Sequence, residues 1–134
     1  MLARDEIRTL LRSARTIAVV GLSDDPNRSS YGIAGYLQRH GYTIFAVNPN
    51  LRGPVLGCEP YASLRYLPGP VDVVDVFRRP EFVPAVVEDA LAIGAKALWL
   101  QSGIVHKAAA ARAEAAGMQV VMDQCIAVQH RLLL

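Results

Sequence analysis

Between Val20 and Gly32 the chain reads VGLSDDPNRSSYG, with an apolar run before it and an amphipathic one after it. The chemistry of this stretch is that of an anion site. Gly21 permits a tight turn and lets a ligand approach the backbone. A helix starting near Ser29 presents N–H groups without intrahelical partners and a partial positive charge. Arg28 adds a guanidinium able to grip a phosphate through two N–H groups at once. A dinucleotide fingerprint would read GxGxxG and be followed, about twenty residues on, by a carboxylate for the ribose hydroxyls. Here Ser23 and Pro26 stand at the later glycine positions, and the next strand ends in Val47-Asn48-Pro49 with no acid. NAD is disfavoured. The arginine suits a ligand of greater negative charge, such as one with a phosphorylated ribose; NADP and coenzyme A both qualify, and the spacing does not separate them.

Elsewhere the chemistry is sparse. His106 lies near a helix start without an acid partner, His40 near a helix end and His130 in the tail. Ser23 lacks the GxSxG setting of a nucleophile elbow. Cys58 and Cys125 form neither a CxxC nor a Cys/His ligand pattern, so neither a zinc site nor a disulfide framework is supported, and Cys125 reads as a small buried hydrophobe. Asp75 falls inside an apolar run, where a buried carboxyl needs a partner. Asp72 and Asp123 specify no reaction. No catalytic and no metal-ligating residue is assigned.

The elements that position these groups follow from the hydrophobic pattern. Short apolar, β-branched runs at 16–20, 43–47, 71–77, 97–100 and 119–122 read as five parallel strands buried on both faces. Between them, apolar residues recur at helical spacing. Ser29 or Ser30 caps a helix through Ile33, Ala34 and Leu37 to Gly41; another runs from Val83 to Gly94 with Pro84 in its first turn; a third spans the alanine-rich segment 106–116, closed by Gly117. MLARDEIRTLLRSA gives an N-terminal helix over 2–13. Residues 51–70, rich in Gly and Pro, read as one long irregular connection with a helical turn from Ser63. Strand and helix in alternation predict a doubly wound, three-layer α/β sandwich with strand order 3-2-1-4-5 and helices on both faces.

In such a sheet ligands bind beyond the carboxyl ends of the strands at the switch point, read here between strands 1 and 4. That rim is expected to carry Gly21-Leu22-Ser23, Val47-Asn48-Pro49, Phe77-Arg78-Arg79 and Gln101-Ser102-Gly103. Arg79 reads as a solvated loop residue, Trp99 as core and Tyr36 as a packing residue.

Composition bounds the rest. With 134 residues, 52% of them hydrophobic and 19% charged, the chain suits one domain with a real core. A net charge of +2, with twelve arginines scattered rather than clustered, gives no footprint for nucleic acid. No stretch approaches the roughly 20 apolar residues of a membrane span, and the charged N-terminus is unlike a signal peptide. A cytoplasmic protein is expected.

Five segments in succession, IAVVGLSDDPNRSSYGIAGYLQRHGY, AVNPN, VDVVDVFR, IGAKALWLQSGI and AGMQVVMDQCI, carry a resemblance over residues 16–130. The chain resembles the small CoA-binding proteins related to the N-terminal CoA-binding domain of the succinyl-CoA synthetase α subunit. The resemblance implies a Rossmann-like fold that binds coenzyme A or an acyl-CoA without catalysis of its own. It implies that Gly21, Leu22, Ser23 and Arg28 lie in the phosphate and ribose region, bordered by Ser29, Ser30 and Tyr31. Val47, Asn48 and Pro49 are then beside the adenosine half, and Phe77 and Arg78 along the same cleft. Gln101 and Gly103 are placed at the rim by topology. The pantetheine arm is expected to extend toward residues 51–70 or toward solvent. An NADP-binding oxidoreductase or cofactor subunit and a CoA-responsive protein-interaction module are the rival readings. Two features depart from the family pattern: the 134 residues leave no room for the synthetase subunit's second domain with its phosphorylated histidine, so ligase activity is not expected from the resemblance, and Gln124 stands where relatives often have a basic residue.

Overall fold

The computed structural model describes residues 1–134. In chain order the elements are α1 (Arg4–Ser13), β1 (Thr16–Val20), α2 (Ser29–Arg39), β2 (Thr43–Val47), β3 (Pro60–Tyr61), β4 (Val73–Val76), α3 (Val83–Ala92), β5 (Ala97–Leu100), α4 (Lys107–Ala115), β6 (Gln119–Val121) and α5 (Ile126–Leu133). All six strands are parallel, in the order β3-β2-β1-β4-β5-β6. The architecture is the expected Rossmann-like α/β sandwich, with one strand more than the apolar runs predict.

The additional strand changes which segments are neighbours. Pro60–Tyr61, inside the connection read as irregular, takes the edge beside β2, and the Asn48 N–H donates to the Tyr61 carbonyl at 2.9 Å. Proline, without an N–H, is tolerated at such an edge, and two residues show no periodicity to read. The run at 71–77, expected as the third strand beside the second, is therefore the fourth and pairs directly with β1. The chain-order pattern 3-2-1-4-5 holds once Pro60–Tyr61 is counted, and β6 extends it. The crossing point falls between β1 and β4, which brings Phe77 and Arg78 next to Gly21.

Two apolar layers hold the sheet. On one face Ile17, Val19, Val73 and Trp99 pack under α1, α2 and α5 through Leu11, Leu37 and Ile126. On the other, Ala18, Val74, Leu98 and Val120 pack under α3 and α4 through Val87 and Ala113. The helices form where expected, with two differences. The N-cap of α2 is Arg28, and neither serine caps it. Residues 126–133, read as a tail, form α5, whose Ile126 and Leu133 complete the first layer. The alanine-rich α4 is capped by His106, whose Nδ1 accepts from the Ala109 N–H at 3.0 Å. No helix is long and apolar enough to cross a membrane.

Register sets the level of the rim. Val20 stands opposite both Val47 and Val76, and Val76 opposite Leu100. The residues that follow, Gly21, Asn48, Phe77 and Gln101, leave the sheet together.

Candidate ligand-binding site

The β1–α2 loop is fixed by its own short side chains. The Ser23 N–H donates to Ser30 Oγ at 3.0 Å, the Asp25 N–H to Ser23 Oγ at 3.0 Å and the Asn27 N–H to Asp25 Oδ1 at 2.9 Å. Ser30 thus spends its hydroxyl holding the loop rather than starting the helix. The outcome is an ordered turn in which exposed Arg28, at the N-cap, enters no ion pair despite Asp24 and Asp25 nearby in sequence. The positive end of α2 opens at the same place.

Three depressions meet along the rim. The first is a cradle of about 280 Å³ lined by Gly21, Ser23, Arg28, Ser29, Ser30 and Phe77. The second, about 140 Å³ and mostly apolar, lies on the α3 side between Val20, Val47, Pro49, Leu64 and Phe82. The third is an open cleft of about 510 Å³ at the ends of β4 and β5, where Phe77, Arg78, Gln101 and Gly103 face Ile33 and Cys125. Ser29 and Phe77 line both the cradle and the cleft. The cradle adjoins the apolar compartment through consecutive residues Val20 and Gly21. Arg78 lines the apolar compartment and the cleft, its guanidinium lies 4.3 Å from the centre of the Phe82 ring, and its Cδ comes close over Gly21. Stacking on Phe82 pre-orders this cation where the apolar compartment meets the cleft, beside Gly21 of the cradle.

Of the residues singled out in the sequence, eleven line these spaces: Gly21, Ser23, Arg28, Ser29, Ser30, Val47, Pro49, Phe77, Arg78, Gln101 and Gly103. Three do not. Leu22 is wholly buried in the core, and Tyr31 packs against it from the side. Asn48 serves the backbone: its Nδ2 donates to the Leu22 carbonyl at 3.1 Å and its Oδ1 accepts from the Asn50 N–H at 3.0 Å. Arg79, expected on the rim but as a solvated loop residue, lines the cleft while pairing with Glu81 at 3.4 Å, and Cys125, expected as a small buried hydrophobe, is half-buried at the same cleft. Applying the strand-end rule to β6 as well as to the other strands finds Cys125. Phe82, Ser63 and Leu64 of the apolar compartment come from segments with no strand-end signal.

Around Cys125 the backbone is braced. Asp123 holds φ +61, and its Oδ1 accepts from the Gly103 N–H at 2.7 Å. The Trp99 indole donates to the Gln124 carbonyl at 2.7 Å, and the Ile126 N–H donates to Gln101 Oε1 at 3.1 Å.

Two carboxyls near the sheet behave oppositely. Asp72 at the base of β4 is driven upward by burial, but the N–H groups of Arg15 and Thr16 at 2.7 and 3.1 Å, with Lys96, outweigh that and hold its pKa below the usual range. Asp75, in register between Val19 and Trp99, is wholly buried with neither oxygen hydrogen-bonded, and burial alone pushes its pKa well up. With no donor or cation beside it, the burial favours its protonated form.

The parallel sheet, the single-glycine turn and the rim depressions define an α/β protein of Rossmann type that lacks the dinucleotide signature. The sequence profile of the CoA-binding domain family matches residues 15–131, and the chain belongs to that family. It is 41% identical over 128 residues to the uncharacterized protein YneT of Bacillus subtilis, covering 96% of this chain and 94% of that one. Among solved structures, cell-free ID.343 from Thermus thermophilus superimposes with a TM-score of 0.95 at 39% identity, covering 99% of this chain and all of the other. The dinucleotide forming acetyl-coenzyme A synthetase 1 of Ca. Korarchaeum cryptofilum matches 85% of this chain with a TM-score of 0.73 at 26% identity, and only 28% of its own length is covered.

Proposed function

We propose that this chain binds coenzyme A, free or acylated, across the three joined depressions. The observation that carries the reading is their chemistry in sequence: an apolar slot, a cradle at a helix N-terminus beside an unpaired arginine, and a larger cleft at the neighbouring strand ends. These suit the three parts of the ligand. The adenine occupies the slot between Val47, Pro49 and Phe82, where apolar side chains bury a flat ring. The diphosphate lies on the cradle, where Gly21 lets it reach the backbone and Arg28 supplies charge. Arg78, held on Phe82, neutralises phosphate at the junction. The pantetheine arm runs into the cleft past Phe77 and Gln101, away from residues 51–70 rather than toward them. The activity is binding, and the family match over 15–131 supports the ligand class.

Calorimetry with CoA, dephospho-CoA, NAD and NADP in parallel tests this reading. CoA binds, NAD does not, and dephospho-CoA binds more weakly than CoA if the 3′-phosphate is recognised. In thermal unfolding, CoA at 100 times its dissociation constant adds about 2.7 kcal/mol. Binding of NADP without binding of CoA would reverse the assignment.

A further inference from the structure

We propose a second anion site at the base of the sheet, the whole length of β2 away from the rim, where Arg12, Arg15, His40 and His130 hold a doubly charged tetrahedral oxyanion, free or as a phosphate monoester. These four side chains line one depression of about 240 Å³, closed by Tyr42 and Leu134. None of the four enters an ion pair, and neither does the terminal carboxylate of Leu134. The elements around the depression carry no acid to compete: residues 7–23, 26–58 and 124–134, which supply α1 beyond its first turn, α2, β2 and α5, contain no Asp or Glu. Asp72, which accepts from the Arg15 N–H, is also held by the Thr16 N–H and by Lys96 at 3.3 Å. The arginines that look scattered along the sequence are thus gathered by the fold.

One member of the group is built into the core. His130 is only 8% exposed, its Nδ1 lies 2.8 Å from Tyr36 Oη, and its ring packs against those of His40 and Tyr42 at 4.8 and 5.8 Å between centroids. Its Nε2 has no hydrogen-bond partner, yet it is not sealed off, because the unpaired buried side-chain polar atoms of this fold are the two oxygens of Asp75. His40 donates from Nδ1 to the Tyr36 carbonyl at 2.8 Å, so its Nε2 is the free end as well. The C-terminal ends of α1, α2 and α5 meet here, and each is worth roughly half a negative charge, which accounts for the two arginines while the imidazoles are neutral. Protonating both imidazoles leaves two like charges side by side without a counter-charge. An oxyanion between them relieves that repulsion, so it binds together with protons. Guanidinium forks and imidazolium N–H groups match the oxygens of a tetrahedral dianion.

Sulfate, a dianion between about pH 6 and 8, is the probe, read by residue-resolved NMR of the full chain against chloride at equal ionic strength. Saturable shifts of the Gly41 N–H and of the His40 and His130 ring protons are expected with sulfate and not with chloride. Binding tightens as pH falls, by up to about tenfold per unit for each proton taken up, and calorimetry in buffers of different ionisation enthalpy registers that uptake. Arg12→Gln combined with Arg15→Gln, both exposed and unpaired, weakens binding at least about tenfold; Arg112→Gln, on the opposite layer, does not. Glycerol 3-phosphate in a parallel titration decides the source of the anion: tighter binding than sulfate assigns an esterified phosphate, and weaker binding the free ion. Equal shifts in chloride, shifts confined to residues 21–30, or a titration that the double variant leaves unchanged would overturn the proposal. None of these outcomes bears on the CoA reading, which concerns the other end of the sheet.

Discussion

The carbonyl oxygen of Phe77 lies where the first carbon of a side chain at position 21 would go, 2.8 Å from a Cβ built on Gly21. Gly21 also holds φ +88, which residues with a side chain adopt only under strain. Gly21→Ala is therefore expected to destabilise the fold by about 1–3 kcal/mol and to weaken CoA binding, because Phe77 and Arg78 must move. Gly32 is the contrast: an ordinary helical position with nothing within 4 Å of an added Cβ. Gly32→Ala should stabilise by about 0.5–1 kcal/mol. Urea unfolding of the two variants reads both signs.

Arg28 is exposed and without an ion-pair partner, so its removal costs the empty protein less than about 0.5 kcal/mol. If it bonds a phosphate, Arg28→Ala weakens CoA binding by about 1.5–3 kcal/mol, roughly 10- to 100-fold. An unchanged dissociation constant by calorimetry removes Arg28 from the site.

Asp75 and Asp72 give stability opposite slopes with pH. Asp75 has a folded pKa above its unfolded value, so its contribution is fullest below about pH 4 and is lost as pH rises toward the folded value. Asp72 has a folded pKa below its unfolded value, so its contribution is present above about pH 4 and lost on acidification. Asp75→Asn should flatten the first decline and raise stability at pH 7 relative to pH 4, while Asp72→Asn should lower stability at pH 7. Denaturation midpoints from pH 3 to 8 decide between these slopes; a flat wild-type profile that Asp75→Asn leaves unaltered contradicts the account of Asp75.

At the other end of α2, Tyr36 Oη and His130 Nδ1 are 2.8 Å apart, and the His40 and His130 rings stand 4.8 Å apart between centroids. Burial first, then the charge of His40, depresses the His130 pKa. A depressed histidine adds stability above its unfolded pKa of about 6.5 and loses it as pH falls. His40→Gln should lessen that loss between pH 7 and 5, measured by the same denaturation series.

Strand positions were legible because strands buried on both faces read as unbroken apolar runs: β1, β2 and β5 match residue for residue. Pro60–Tyr61 was not, since a two-residue edge strand has neither length nor alternation, and missing it moved the 71–77 run away from its true neighbour β1. The cradle was legible from Gly21 and Arg28, where residue type dictates conformation or charge. The role of Ser30 was not: whether a hydroxyl caps its own helix or ties back to Ser23 depends on the path of the intervening loop. The apolar slot drew on Phe82 and Leu64, which only the folded chain brings to Val47. Cys125 reads as filler because residue type and spacing do not tell a cysteine that lines a cleft from one in the core.

Trp99, the chain's one tryptophan, is wholly buried, yet its indole N–H is tied to the carbonyl of Gln124, the residue before Cys125. The protein thus carries an optical gauge wired to the far end of its cleft. Any occupant that shifts the backbone at 124 alters the polarity felt by the indole, and the emission of unlabelled protein registers it in real time.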